Sequence, residues 1–341
     1  MTKAKFKLNP YIVGRPISER ELFFGHQNLF AFIEDNLKQG VQVILLSGQR
    51  RIGKSSLIFQ IPKFVAQDEF AFVHFDLDPM GRLSLSNLLH SLAEEILANL
   101  ELDPQRVKLP SSKDFNRDYQ LFSQNFLPQV YRELGKKNLV LLLDEFEVLT
   151  SYEPTSSAKH FFPYLQSILK EQKRLFIIPV VGRKPDDLPK LLGLFREAPH
   201  REIGLLDRVS SKRLITEPAQ NDLVYESDAV EAILELSSCH PYFTQVICYG
   251  LFARARSEDN WQVTRDRVAS IVDEAIEISE ARLVEWDFLD IAEVAEPGEQ
   301  LTQYKVKIEL VRRWLVKQHP LKQEISQLES FNSESNVAIL T

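Results

Sequence analysis

Eight residues, Gly48-Gln49-Arg50-Arg51-Ile52-Gly53-Lys54-Ser55, constrain this chain more than any other feature. They satisfy the pattern G-x-x-x-x-G-K-[ST] at every fixed position. With glycine near ~7% of residues, a chance match in a chain of this length is on the order of one in a hundred. The flanks have the order the motif requires. Val41-Gln42-Val43-Ile44-Leu45-Leu46-Ser47 predicts a short buried strand, and Ser56-Leu57-Ile58-Phe59-Gln60-Ile61 predicts the start of a helix. Between the two, glycines let successive backbone N–H groups turn inward around an anion, and the helix N-terminus adds positive partial charge. Gly48, Gln49, Arg50, Arg51, Ile52, Gly53, Lys54, Ser55 and Ser56 therefore form a candidate cradle for nucleotide phosphates. Lys54 is placed to reach the β- and γ-phosphates, and the Ser55 hydroxyl to ligate Mg²⁺. Arg50 and Arg51 fill variable positions of the pattern and need no role.

The chain's 341 residues suit two or three domains, and 44% hydrophobic with 26% charged residues is an ordinary globular balance. Its two cysteines, Cys239 and Cys248, have no CxxC partner or metal-site spacing, so they read as buried thiols of a reduced, cytoplasmic protein. The basic N-terminal residues precede no apolar segment of the signal-peptide kind. No apolar run approaches the roughly 20 residues of a membrane span, so no membrane partner is expected. A net charge of −7 disfavours nucleic acid as a partner of the whole chain.

Residues 1–40 read as an N-terminal segment with one helix over 27–38. From 41 to 206, short apolar runs alternate with helical patterns. The runs are 41–47, 70–75, 139–143, 175–181 and a weaker one at 201–205. Leu85, Leu88, Leu89, Leu92 and Ile96 make one face of a helix near 84–100. This alternation predicts an α/β core whose parallel sheet is covered on both faces. Pro179 is expected near a strand end or at a bulge. From 207 to 280 the strands stop, and Ser210, Ser227 and Thr264 are expected N-caps of a small helical lid. Over 281–325, Tyr304–Ile308 alternates like a strand and Glu309–Lys317 like a helix. Residues 326–341, rich in Ser, Asn and Glu, read as a loose tail.

The run Leu139-Val140-Leu141-Leu142-Leu143-Asp144-Glu145-Phe146-Glu147 supplies the second phosphate-site element. Asp144 at a buried strand tip can orient water on Mg²⁺, and Glu145 can act as general base on the attacking water. Glu147 is expected to point elsewhere and is given no chemistry. Ligands bind at the carboxyl ends of parallel strands, so Arg183, after Val181-Gly182, is a candidate sensor of the γ-phosphate. Arg196 and Arg201 read as solvated charges that could reach phosphate in this subunit or a neighbour. No N-K-x-D motif is present, which favours ATP over GTP.

These motifs follow Asn9-Pro10-Tyr11, Gly14-Arg15-Pro16-Ile17 and Phe23-Phe24-Gly25-His26, and precede Cys239-His240-Pro241-Tyr242-Phe243-Thr244-Gln245. In that order, over about residues 9–280, the chain resembles the STAND class of P-loop ATPases, relatives of AAA+ and origin-recognition-type ATPases. The resemblance implies an ASCE-type P-loop NTPase core with strand order 5-1-4-3-2, a helical lid and then a winged helix, here a truncated remnant. It places Phe24 and Gly25 near the adenine and Pro241 over the nucleotide from the lid. The family more often has Gly-Arg-Glu where this chain has Gly25-His26-Gln27. The lid arginine usual in AAA+ enzymes is not evident, which favours a switch over a processive motor.

The function expected is an ATP-binding, slowly hydrolysing, Mg²⁺-dependent molecular switch that controls assembly, with a protein partner or a second copy as its target. The alternative is a DNA-associated ATPase of replication-origin or transposition-regulator type. Its support is the basic series Lys305, Lys307, Arg312, Arg313, Lys317, His319 and Lys322, opposed only by Glu309. The less specific reading, a solvated helix face, is favoured.

Overall fold

Five parallel strands carry the larger part of the molecule: β1 (Leu45–Ser47), β2 (Phe70–Asp76), β3 (Asn138–Asp144), β4 (Leu175–Val181) and β5 (His200–Glu202). Their order is β2-β3-β4-β1-β5, the expected 5-1-4-3-2 read from the opposite edge. This computed structural model describes residues 7–80, 83–150, 158–182, 197–283, 295–297, 303–306, 308–318 and 339–340. They fall into two compact units, one spanning 26–48 and 54–204, the other 1–25, 49–53 and 205–341.

In the first unit, β4 is buried at every residue and β3 at all but its first. Such continuous apolar runs are what a sheet covered on both faces requires. Helices α1 (Gln27–Lys38), α2 (Lys54–Phe64), α3 (Leu85–Asn99), α4 (Ser112–Arg117), α5 (Leu127–Glu133) and α6 (Ala158–Glu171) accompany it. Leu88, Leu89, Leu92 and Ile96 of α3 pack with Leu139, Leu141, Leu165 and Ile168 in one core. Ser84 caps α3 by accepting from the Asn87 N–H, and Ser111 caps α4 in a reciprocal box with Asp114. Pro179 lies two residues from the end of β4, in register with Leu143 of β3. Its missing donor faces β1, between the bonds Ile44 N–H to Ile177 O and Gly48 N–H to Val181 O. That gap is why regular β1 begins only at Leu45, shorter than the predicted 41–47.

The second unit is helical, with α7 (Arg208–Thr216), α8 (Ser227–Ser237), α9 (Pro241–Glu258), α10 (Arg265–Ser270) and α11 (Val272–Leu283). A two-residue parallel pairing of β6 (Val224–Tyr225) with β7 (Gln262–Val263) interrupts the expected run of helices. Thr264 caps α10 as expected, through the Arg267 N–H. The other two caps differ from expectation. Asp207, not Ser210, caps α7, because its longer carboxylate takes both the Ser210 N–H and hydroxyl. Glu226 is the N-cap residue of α8, and Ser227 is its first helical residue. The strand and helix expected near 304–317 are β9 (Gln303–Val306), paired with β8 (Ala295–Pro297) and β10 (Ile339–Leu340), and α12 (Glu309–Gln318). Leu310, Val311 and Trp314 of α12 are buried in the same core as Phe243 and Phe252 of α9.

Candidate functional site

The phosphate-loop motif has the local geometry its residues dictate. Gly53 has φ of 104°, in the region where a side chain is strained. Arg51 also turns left-handed at φ 64°. Ile52, 2% exposed, anchors the loop, and α2 starts at Lys54, itself only 7% exposed despite its charge. The loop's start is fixed from two neighbouring strands. Gly48 N–H donates to Val181 O of β4 at 3.1 Å, and the buried Ser47 hydroxyl lies 2.8 Å from His200 Nε2 of β5.

Asp144 ends β3, buried, where β3 also pairs with Asp76 of β2. Its Oδ1 accepts the Glu145 N–H at 3.0 Å. Glu145 then turns left-handed at φ 49°, a costly conformation for a residue with a Cβ. That turn ends the strand's alternation and starts the short 3₁₀ helix Phe146–Thr150. As a result Glu147 returns to the site instead of pointing away as expected. Its Oε1 accepts the Gly182 N–H at 2.5 Å. A Cβ on Gly182 would collide with that carboxylate and stand 3.6 Å from Lys54 Nζ. Lys54, Glu147, Gly182 and Glu145 therefore share one locus, with Lys54 buried and the two glutamates half-buried. Burial pushes the Glu145 carboxyl up to about 7; Lys54 opposes the shift, while Glu147 and Asp144 add to it. Period-2 reasoning missed Glu147 because nothing local to it signals a left-handed residue two places earlier. The signal available was the glycine closing β4, whose N–H needs an acceptor beyond the sheet.

Phe24, Gly25 and Pro241, together with loop residues Gln49–Gly53, lie in the helical unit. Phe24 packs with Leu206 and Leu214, and the Arg213 guanidinium lies 5.4 Å from its ring centroid. Gly25 has φ of 82°, and a Cβ there would come within 2.9 Å of Leu206. Pro241 opens α9 after two consecutive left-handed residues, Ser238 at φ 50° and Cys239 at φ 61°. Arg51 lies 5.9 Å from the ring centroid of Tyr242, so it has a neighbour the motif does not predict. Arg201, on β5, stacks 4.9 Å from the Phe32 ring. Arg183 and Arg196 lie outside the described residues.

Among the described residues no group of three or more His, Cys, Asp or Glu is poised to hold a metal. Mg²⁺ held by one hydroxyl, one carboxylate, waters and nucleotide phosphates needs no such cage. The buried Lys54 ammonium, the glycine turn and the acidic strand tip fit a phosphate-bearing ligand of that kind.

Residues 22–178 match the family model of the AAA-like domain. The matched span holds the phosphate loop, α2 and the Asp144–Glu145 tip, and it supports a nucleotide-dependent ATPase. Among solved structures, the Walker-type ATPase of Pyrococcus abyssi is similar, with TM-score 0.55 and 18% identity over 93% of this chain and 91% of that one. The Aeropyrum pernix ORC2 protein, in its ADPNP–ADP complexes, has TM-score 0.54 and 16% identity over 90% and 84%. The Drosophila ORC bound to DNA has TM-score 0.52 and 14% identity over 95% and 81%. These likenesses establish the P-loop NTPase fold. No curated protein matches the sequence. No helix among the described residues is long and apolar enough to cross a membrane.

Proposed function

We propose that this chain is an ATP-dependent molecular switch of the STAND type, binding ATP with Mg²⁺, hydrolysing it slowly and controlling assembly with a protein partner or a second copy of itself. One observation carries the reading. A half-buried carboxyl with raised proton affinity, Glu145, sits in the same locus as the buried Lys54 and is tied through Glu147 to Gly182 at the end of β4. A base, a phosphate-binding cation and a strand tip able to feel the γ-phosphate are thereby linked.

In this reading residues Gly48 to Ser56 cradle the phosphates, with Lys54 on the β and γ groups. Ser55 and Asp144 hold Mg²⁺, which when bound neutralises charge on the phosphoryl group. Glu145 takes the proton of the attacking water, and Arg183 senses the γ-phosphate. Phe24 and Gly25 at the adenine, and Pro241 over the nucleotide, are carried from the STAND resemblance. Turnover is slow for two reasons. Burial raises the proton affinity of the Glu145 carboxyl, and only its ionised form serves as a base; no arginine finger is assured within the chain. Arg312 and Arg313 both bridge to Glu309, at 2.7 and 2.9 Å. That pairing favours a solvated helix face over a DNA-binding one, so DNA is not the favoured partner.

The test is molar mass by light scattering with Mg-ATP, Mg-ADP or no nucleotide, run beside phosphate release. A mass increase confined to Mg-ATP, with slow release, is the expected result for a self-assembling switch. An unchanged monomer that hydrolyses moves the target to a separate protein. A chain that neither binds nor hydrolyses ATP overturns the proposal.

A further inference from the structure

His74 stands on β2 next to the acidic strand tip, and nothing in the loop or strand motifs involves it. Its Nε2 is buried and finds no hydrogen-bond partner among the described residues. Burying a ring nitrogen unpaired costs free energy, so its surroundings need a reason. The nearest charge is Asp144, whose Oδ2 lies 3.9 Å from that nitrogen. This gap is too long for a direct hydrogen bond. The other carboxylate oxygen, Oδ1, is already fixed by the Glu145 N–H at 3.0 Å. The imidazole also makes an edge-type contact with the Phe59 ring, with centroids 4.9 Å apart. Phe59 lies one helical turn after Ser55, on the same face of α2. The ring is thus close both to the helix that carries Ser55 and to the strand that carries Asp144.

We propose that His74 is a positioning residue for the metal site: with its proton on Nε2, it donates to Asp144 Oδ2 and fixes that carboxylate in the orientation that holds Mg²⁺ with Ser55. The travel needed is about 1 Å, from the observed separation to the usual hydrogen-bond length near ~2.9 Å. His74 itself touches neither metal nor nucleotide. It acts as the hydrogen-bonding partners behind metal ligands generally do, by removing the ligand's freedom to rotate. The inference rests on the proposed nucleotide site.

The experiment titrates a fluorescent N-methylanthraniloyl ATP into the full chain, in MgCl₂ and in EDTA, for the parent, His74→Phe and His74→Gln. Phenylalanine keeps the ring contact with Phe59 and loses the donor. Glutamine keeps a donor at similar reach and loses the ring. The parent should bind more tightly with Mg²⁺ than with EDTA. His74→Phe should lose about ten-fold or more of that Mg²⁺-dependent gain, with unchanged affinity in EDTA and an unchanged circular dichroism spectrum. His74→Gln should recover most of it. A His74→Phe protein with the parent's full Mg²⁺ gain overturns the inference and leaves the site reading intact. So does a His74→Gln protein no better than His74→Phe, because then packing and not hydrogen bonding is at work. A parent that binds nucleotide in neither condition overturns the nucleotide-site reading, and this inference with it.

Discussion

Glu145 is held in a left-handed backbone conformation, φ 49°, with its carboxyl raised to about 7 chiefly by burial. The consequence for pH has a definite sign. Between the ordinary value of 4.5 and the folded value of about 7, the folded chain binds this proton more tightly than the unfolded chain does. Stability from that source is present at low pH and is lost as pH rises through about 7. Urea midpoints measured from pH 5 to 8 should therefore fall more steeply for the parent than for Glu145→Gln, which has no such proton to lose. Phosphate release should rise over the same window, since only the ionised carboxylate accepts a proton. Glu145→Gln should bind ATP and hardly turn it over, and Lys54→Ala should bind it much more weakly; a Glu145→Gln chain as fast as the parent refutes the base assignment. Gly182→Ala tests the Glu147 strap. The added methyl collides with the Glu147 carboxylate, so the variant should lose about 1–3 kcal/mol of stability and most of its hydrolysis.

Elements show where local preference was satisfied and where it was overridden. Helix α1 runs over Gln27–Lys38, the predicted limits, because its apolar residues Leu29, Phe30, Ile33 and Leu37 repeat at helical spacing. The turn into α9 is the contrary case, with non-glycine residues Ser238 and Cys239 both left-handed. Each such residue costs roughly 1 kcal/mol relative to glycine. Cys239→Gly should accordingly raise the denaturation midpoint, and an unchanged or lower midpoint would show that the Cys239 side chain offsets the backbone cost. The helix at α7 depends on Asp207, whose cap removal in Asp207→Ala should cost about 1 kcal/mol.

At the scale of the whole molecule, the described residues form two large hydrophobic cores, one around the sheet and one among α8, α9 and α11. A truncation deep in one should be felt there first. Phe252 is fully buried in the helical core; Phe252→Ala should cost about 3–5 kcal/mol. Native-state hydrogen exchange should then speed up across α8–α11 and leave β3 and β4 protected. Equal acceleration in both units would mean that they unfold as one cooperative body.

Sequence alone determined the phosphate loop, the acidic strand tip and the α/β alternation. Each is written in local terms: glycine spacing, apolar runs and period. Strand order is not local, and here it came through a family resemblance before the sheet bore it out. Tertiary structure decided what depends on residues far apart in the chain. Glu147 faces Gly182, 35 positions on, only because Glu145 turns left-handed at the carboxyl end of β3. His74 faces Asp144 only because β2 and β3 are neighbours in register. The Glu145 carboxyl is raised only once packing removes water from it. Motif spacing records which groups a site contains; desolvation and approach between distant residues, which set what those groups can do, exist only in the folded chain.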